Sequence, residues 1–233
     1  MTSNADKQTI QIKDAVEEAL TKKGKIRILD YGAGKGRLVE ALAAAGATPT
    51  RLDYFAYDKY PDDKNICLQN IAQIYEDSSD RWFDSFDALG QRCDDGSFDI
   101  IVLCNTLHEI AHNERAPLFK KFSELLADTG FVFIVEDSCL PKGGKPHQNG
   151  FLVLGPTQIN KLFSISETDV FSVAFDDDSE RLFCCHVEKQ VLSKISEETV
   201  RISRVSLKEK AIEKITRLRS GAYNYKNGKA HAF

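Results

Sequence analysis

Asp30, Gly32, Gly34 and Gly36 stand at alternate positions after the apolar pair Ile28-Leu29, and Leu38, Val39 and Leu42 follow at helical spacing. Strand, tight turn and helix in that order make a nucleotide-binding corner. The glycines let the backbone approach a ligand with no Cβ in the way, and the helix beginning near Lys35 aims N–H groups and its positive dipole end at that ligand. A second carboxylate extends the pattern: Arg51 to Asp58 reads as a strand ending in an acid, and Asp58 lies 22 residues past Gly36. At that distance a carboxylate accepts both hydroxyls of a ribose. Spacing then separates the nucleotide classes. A Walker loop would need glycine where Leu29 stands and Ser or Thr where Gly36 stands; a dinucleotide fingerprint would need glycine at Arg37.

A different chemistry is written at His108-Glu109-Ile110-Ala111-His112, which matches H-E-x-x-H. On a helix, two histidines one turn apart bind zinc and the glutamate activates water, with Glu136 as a third ligand. The surroundings count against a zinc hydrolase, because a buried strand runs into Cys104-Asn105-Thr106 just upstream and Pro117 follows five residues after His112. Arg115 also occupies the place of the glycine in the extended form of that motif.

The run Leu29-Asp30-x-Gly-x-Gly-x-Gly instead resembles motif I of the class I S-adenosylmethionine (SAM)-dependent methyltransferases, and the resemblance covers roughly residues 25 to 190. It implies a Rossmann-like α/β fold: a mostly parallel sheet with helices on both faces and a C-terminal antiparallel hairpin. It also implies SAM as cofactor and S-adenosylhomocysteine as product. Asp30 would lie near the methionine part, Gly32, Gly34 and Gly36 would border the ribose and amino-acid portion, and Asp58 would hold the ribose. Asp87, 11 residues before Phe98, is the adenine candidate. Asn105-Thr106-Leu107-His108-Glu109-Ile110 is the loop leaving the fourth strand and would border the methyl group. There Asn105 is a cofactor and catalytic candidate, while His108 is either a general base or a residue that orders the loop. The Asn/Asp-Pro-Pro-aromatic motif of enzymes acting on amide-type nitrogens is missing, since Asn105-Thr106-Leu107-His108 takes its place. Residues 136 to 150 are the expected acceptor loop, with Gly143-Gly144 as a mobile lid and His147 on its surface. No metal is expected there, because Cys104 and Asn105 stand where catechol-type enzymes carry carboxylates. The acceptor itself is not identified; a small molecule or a protein is favoured. A non-catalytic binding module on the same fold is the alternative from another class.

The elements that must position these residues alternate along the chain. Lys7 to Lys22 carries Ile12, Ala15, Val16 and Leu20 on one stripe, an amphipathic helix expected to cover a sheet edge rather than the cofactor entrance. A weakly helical stretch holds Ile66, Leu68, Ile71 and Ile74; the third strand has no clear signal. Phe98 to Leu103 is the fourth strand, Asn113 to Leu126 a helix stopped by Asp128-Thr129-Gly130, and Phe131 to Val135 a strand buried on both faces. Pro156-Thr157 opens a helix over Gln158 to Phe163, and Val170 to Phe175 with Leu182 to Val187 reads as a hairpin. Residues 1–24 form the N-terminal helix, 25–190 the SAM-binding domain and 191–233 a basic helix and tail.

At 233 residues and 42% hydrophobic content, the chain can bury one large core. No apolar run is long enough for a membrane span and the N-terminus lacks a secretory apolar region, so a cytoplasmic protein is expected. The six cysteines form no C-x-x-C pair, which argues against a zinc site or a disulfide scaffold. Charge is uneven: the chain carries −4 overall, yet from His186 onward the net is +6. Ser206-Leu207-Lys208-Glu209 has the form of a capping box and would open a helix to Arg219 bearing Lys208, Lys210, Lys214 and Arg217. That basic surface is read as a solvated face in preference to a nucleic-acid contact. A partner protein or further domain could follow the C-terminal tail.

Overall fold

A computed structural model describes residues 7–137, 153–165, 170–173 and 182–219. Helix α1 (Lys7–Lys23) leads into β1 (Ile26–Tyr31), followed by α2 (Arg37–Ala44), β2 (Leu52–Tyr57), α3 (Lys64–Ile71), β3 (Trp82–Phe83) and α4 (Phe86–Arg92). The second half holds β4 (Phe98–Cys104), α5 (His112–Leu125), β5 (Leu126–Asp137), α6 (Pro156–Phe163), β6 (Val170–Val173), β7 (Leu182–Glu188), α7 (Lys189–Leu192) and α8 (Glu197–Arg219).

The strands make one sheet in the order β3-β2-β1-β4-β5-β7-β6. The first five run parallel, and β7 joins antiparallel to both β5 and β6. The expected terminal hairpin is therefore present, with its second strand inserted beside β5. Period-two alternation feeds two cores. On one face Ile28, Tyr54 and Val102 pack with Ile12, Val16, Leu38, Val39 and Leu42. On the other, Leu29, Ile101 and Ile134 pack with Leu118, Phe119, Phe122 and Phe163. β1 and β4 lie at the centre and are covered on both sides, which is why they read as near-continuous apolar runs. Helix α1 lies on a face of the sheet over the inner strands β1, β4 and β5 instead of at an edge, with Ile12, Val16 and Leu20 buried there.

Three local readings change. The third strand is only Trp82–Phe83, too short to leave a periodic signal. The helix ahead of β5 ends at Leu125 and the strand begins at once, before the Asp128-Thr129-Gly130 stop. The C-terminal helix starts at Glu197, not at Ser206. Its cap lies ten residues upstream of the expected one. Ser196 N–H donates to Thr199 Oγ1 at 3.1 Å and Thr199 N–H donates to Ser196 Oγ at 3.3 Å, satisfying donors at the helix start. Ser206 is buried in mid-helix, where its Oγ accepts from Gln158 Nε2 at 3.2 Å; Ser203 Oγ donates to the Gln158 carbonyl at 2.9 Å. These bonds tie α8 to α6. Beyond Leu207 the helix is exposed nearly all round, basic residues included. The lid with Gly143-Gly144 and His147, the turn of the β6–β7 hairpin and the tail after Arg219 lie outside the described residues.

Candidate active site

β1 delivers Asp30 to the sheet's carboxyl end, where the chain turns across β2. The N–H groups of Gly32 and Ala33 both donate to the Tyr57 carbonyl, at 2.8 and 3.1 Å. Gly32 has φ +80°, and a Cβ there would come within 2.4 Å of Thr106 Oγ1, so left-handed backbone and close packing each demand glycine. Gly34, at φ +50°, has nothing within 4 Å of its missing Cβ; its bare side faces open space. Gly36 caps α2 without a side chain, leaving the helix's positive end unblocked.

Asp30 is 4% exposed and accepts a hydrogen bond from Tyr54 Oη at 2.6 Å. Burial pushes its carboxyl up to about 6, against the pull of that hydrogen bond. Asp58 follows β2 directly. Its Oδ2 accepts from Gly34 N–H at 2.8 Å and its Oδ1 from Tyr60 N–H at 2.9 Å, so one carboxylate ties the second strand to the glycine turn.

Beyond β3 the order of residues separates two acids. Asp84 is the first residue past the strand and Asp87 sits in the first turn of α4; both are exposed. Ser85 caps that helix by accepting from Ala88 N–H at 3.3 Å. Counting back from β4 selects Asp87; tracing the short strand brings Asp84 to the carboxyl end of the sheet. Beside them Tyr57 stacks on Tyr31 and on Phe86, with ring centroids 4.7 and 4.8 Å away.

The loops after β4 and β5 hold the second group. Asn105 takes a left-handed conformation, φ 52°, and donates its N–H to the Val135 carbonyl at 2.9 Å. Its side-chain Oδ1 is buried and without a hydrogen-bond partner among the described residues. Three residues on, His108 meets Glu136 of β5 twice: its backbone N–H donates to Oε2 at 2.8 Å, and Nδ1 lies 3.0 Å from the same oxygen. Glu136 is 1% exposed and its Oε1 lacks a partner among the described residues. Burial raises the Glu136 carboxyl, opposed by His108. Burial alone would lower the His108 imidazole; the hydrogen bond and charge of Glu136 outweigh it and hold the imidazole above its ordinary value. His108 and His112 do not share a helix. His108 lies in a 3-10 turn, Leu107–Glu109, and α5 opens only at His112 after an extended Ala111, so the one-turn spacing that H-E-x-x-H requires is not formed.

Residues 5–154 match the family model described as "Methyltransferase domain". The chain belongs to this family. No curated protein matches it in sequence. Among solved structures, the methyltransferase domain is similar to the DszA carbon methyltransferase: TM-score 0.57 and 17% identity, over 81% of this chain and 55% of that one. The CurJ carbon methyltransferase gives TM-score 0.54 and 17% identity, over 78% and 54%. The chain thus spans little more than half the length of these two structures. The fold is that of the class I enzymes, and the domain is a SAM-dependent methyltransferase.

The corner fits that cofactor. A glycine turn open at Gly34, carboxylates after β1 and β2, and an orphaned amide oxygen at Asn105 supply acceptors for a ligand rich in hydroxyls and amines. A groove of about 790 Å³ lies elsewhere, between α1 and strands β5 and β7, with Phe131 and His186 on its floor and no corner residue in its lining. Sequence reasoning did not single out two residues that the structure brings to the corner, and gave a third a different role. Glu136 was named only as a zinc ligand and the start of the acceptor loop, Asp84 was hidden by the brevity of β3, and Tyr54 reads as ordinary core.

Proposed function

We propose that the domain methylates an acceptor that must lose a proton in order to attack the methyl carbon, a carbon acid beside a carbonyl group above all, with His108 as general base. The observation that carries this reading is the 3.0 Å contact between His108 Nδ1 and Glu136 Oε2. A buried carboxylate on Nδ1 fixes the tautomer with its proton there and makes Nε2 the basic nitrogen that takes the acceptor's proton. Glu136 then balances the imidazolium that forms. When bound, SAM supplies a methyl carbon on a sulfonium sulfur that keeps the bond pair. For holding it we assign Gly32, Gly34 and Gly36 to the amino-acid and ribose portion, Asp30 to the cationic methionine end, Asp58 to the ribose, Asp84 in preference to Asp87 to the adenine, and Asn105 to the cofactor near the reacting carbon. Alignment supplies much of the acceleration. The base is needed because a carbon acid has no lone pair to attack with. Both similar structures are carbon methyltransferases, in keeping with this acceptor class.

A cytoplasmic setting accords with the five free cysteines among the described residues, where no helix is long and apolar enough to cross a membrane. The test is release of S-adenosylhomocysteine from SAM with acetylacetone, a catechol and a primary amine as probes. The expected result is release with the dicarbonyl and C-methylation of it, reduced about 100-fold or more in His108→Ala. Release with the amine alone, or release that survives His108→Ala, would overturn the reading. SAM binding with no release from any probe would favour the non-catalytic module.

A further inference from the structure

Arg115 is 1% exposed, the largest fully buried side chain among the described residues, on a helix whose other buried positions are Leu118, Phe119, Phe122 and Leu125. A cation has no reason to be among them unless its donors are used. Its Nε donates to the Ile110 carbonyl at 3.1 Å and its Nη2 to the Leu107 carbonyl at 3.2 Å. Those two carbonyls bracket His108. We propose that Arg115 is a positioning residue, a fork that holds the turn from Leu107 to Ile110 so that His108 meets Glu136; this rests on the reading of that pair as the base.

The chemistry of the side chain suits the task. A guanidinium is planar and presents several N–H groups in fixed directions, so it can set the separation of two carbonyl oxygens; an ammonium is a point donor and cannot. The turn is otherwise closed by Glu109 N–H on the Thr106 carbonyl and Ile110 N–H on the Leu107 carbonyl, at 3.0 and 3.3 Å, and seated by the buried side chains of Leu107 and Ile110. It is one 3-10 turn with no side-chain cap, followed by the extended Ala111. The surrounding charges are few. Glu136 of β5 faces both His108 and Arg115, Glu109 and Asp137 act on His108, and Arg204 of α8 acts on Arg115. Burial lowers the Arg115 guanidinium to about 10, which leaves it charged at any physiological pH.

The experiment follows the His108 ring proton by NMR against pH in the whole protein and in Arg115→Lys, Arg115→Met and Glu136→Gln. Arg115→Lys keeps the charge beside Glu136 and removes the fork, so His108 should titrate about 0.5 to 1 pH unit lower, and the amides from 107 to 110 should exchange faster. A thermal shift with SAM, retained in the Lys variant, shows that the corner still folds. Arg115→Met should lower the His108 titration at least as far. Unchanged His108 titration in both Arg115 variants, with Glu136→Gln lowering it, would overturn the positioning role while leaving the base intact. Unchanged titration in Glu136→Gln would instead remove the pair on which the proposal rests. Loss of folding in both Arg115 variants would also overturn it, by making Arg115 a core residue and not a brace for the turn.

Discussion

Tyr54 and Asp30 face each other inside the sheet, hydroxyl to carboxylate at 2.6 Å, on neighbouring parallel strands. This hydroxyl hydrogen bond, together with the charge of Arg37, pulls the acid down, but burial prevails: its carboxyl sits near 6 instead of 3.8. The folded chain therefore binds this proton more readily than the unfolded chain. Stability falls as pH climbs from about 4 to about 6, and the cost persists above that window.

Replacing Asp30 by Asn keeps an acceptor for Tyr54 and removes the charge. At pH 7.5 the variant should be more stable by about 1 to 3 kcal/mol, which corresponds to a rise in Tm of roughly 2 to 4 °C per kcal/mol. At pH 4 the advantage should vanish. SAM affinity should fall, because the cationic end of the cofactor loses its counter-charge. Denaturation curves at the two pH values decide it; an equal gap at both would reject the account.

The three acids around the corner should rank by position. Asp58→Ala and Asp84→Ala should each weaken SAM binding by about 1.5 to 3 kcal/mol, the worth of a hydrogen bond to a charged group. Asp87→Ala, on an exposed helical turn, should change it by less than about 0.5 kcal/mol. Titration calorimetry on the folded variants gives the order. A large loss at Asp87 with none at Asp84 would return the adenine to the position counted from β4.

Because Glu136 raises the His108 titration, the neutral imidazole that can act as base gains ground only above pH 6.5. Turnover should climb with pH through that raised value. Glu136→Gln should shift the climb to lower pH while slowing turnover about 100-fold. The proton on His108 also adds stability that is full below about 6.5 and lost as pH rises through the raised value. A pH–rate profile that is flat from 6 to 9 would contradict the role.

Helix α8 should be held by its first half. Gln158→Ala removes the partner of buried Ser206 and should cost about 1 to 2 kcal/mol in chemical denaturation. Arg217→Ala breaks an exposed pair with Glu213 and should be silent within about 0.5 kcal/mol. Comparable losses at both positions would mean that the exposed half is packed in solution.

The parallel sheet, its hairpin and the glycine corner were legible because each leaves a local mark: buried strands as apolar runs, a turn as alternating glycines, an acid closing the second strand at a set distance. What the sequence did not show was long-range pairing. Glu136 lies 28 residues from His108, and Arg115 was read only as a misplaced glycine in a zinc motif. Two residues of β3 are too few for periodicity, so the adenine candidate was counted back from Phe98 to Asp87 and Asp84 was not weighed. Ser206 and Glu209 have capping spacing, but Ser206 is spent on Gln158, and such a partner 48 residues away has no trace in a window of four.

In the proposed function the contact between Gly32 and Thr106 joins two loops with different tasks, one at the cofactor and one at the acceptor. A side chain at 32 would overlap Thr106 Oγ1, and trimming residue 106 would leave the left-handed backbone at 32 still hostile to one. Enlarging residue 106 to reshape the acceptor side would press on the turn that receives the cofactor. For protein engineering this is a shared hinge pin: substrate scope and cofactor affinity cannot be tuned independently at this point, and libraries that vary 106 should be screened for SAM binding as well as for product.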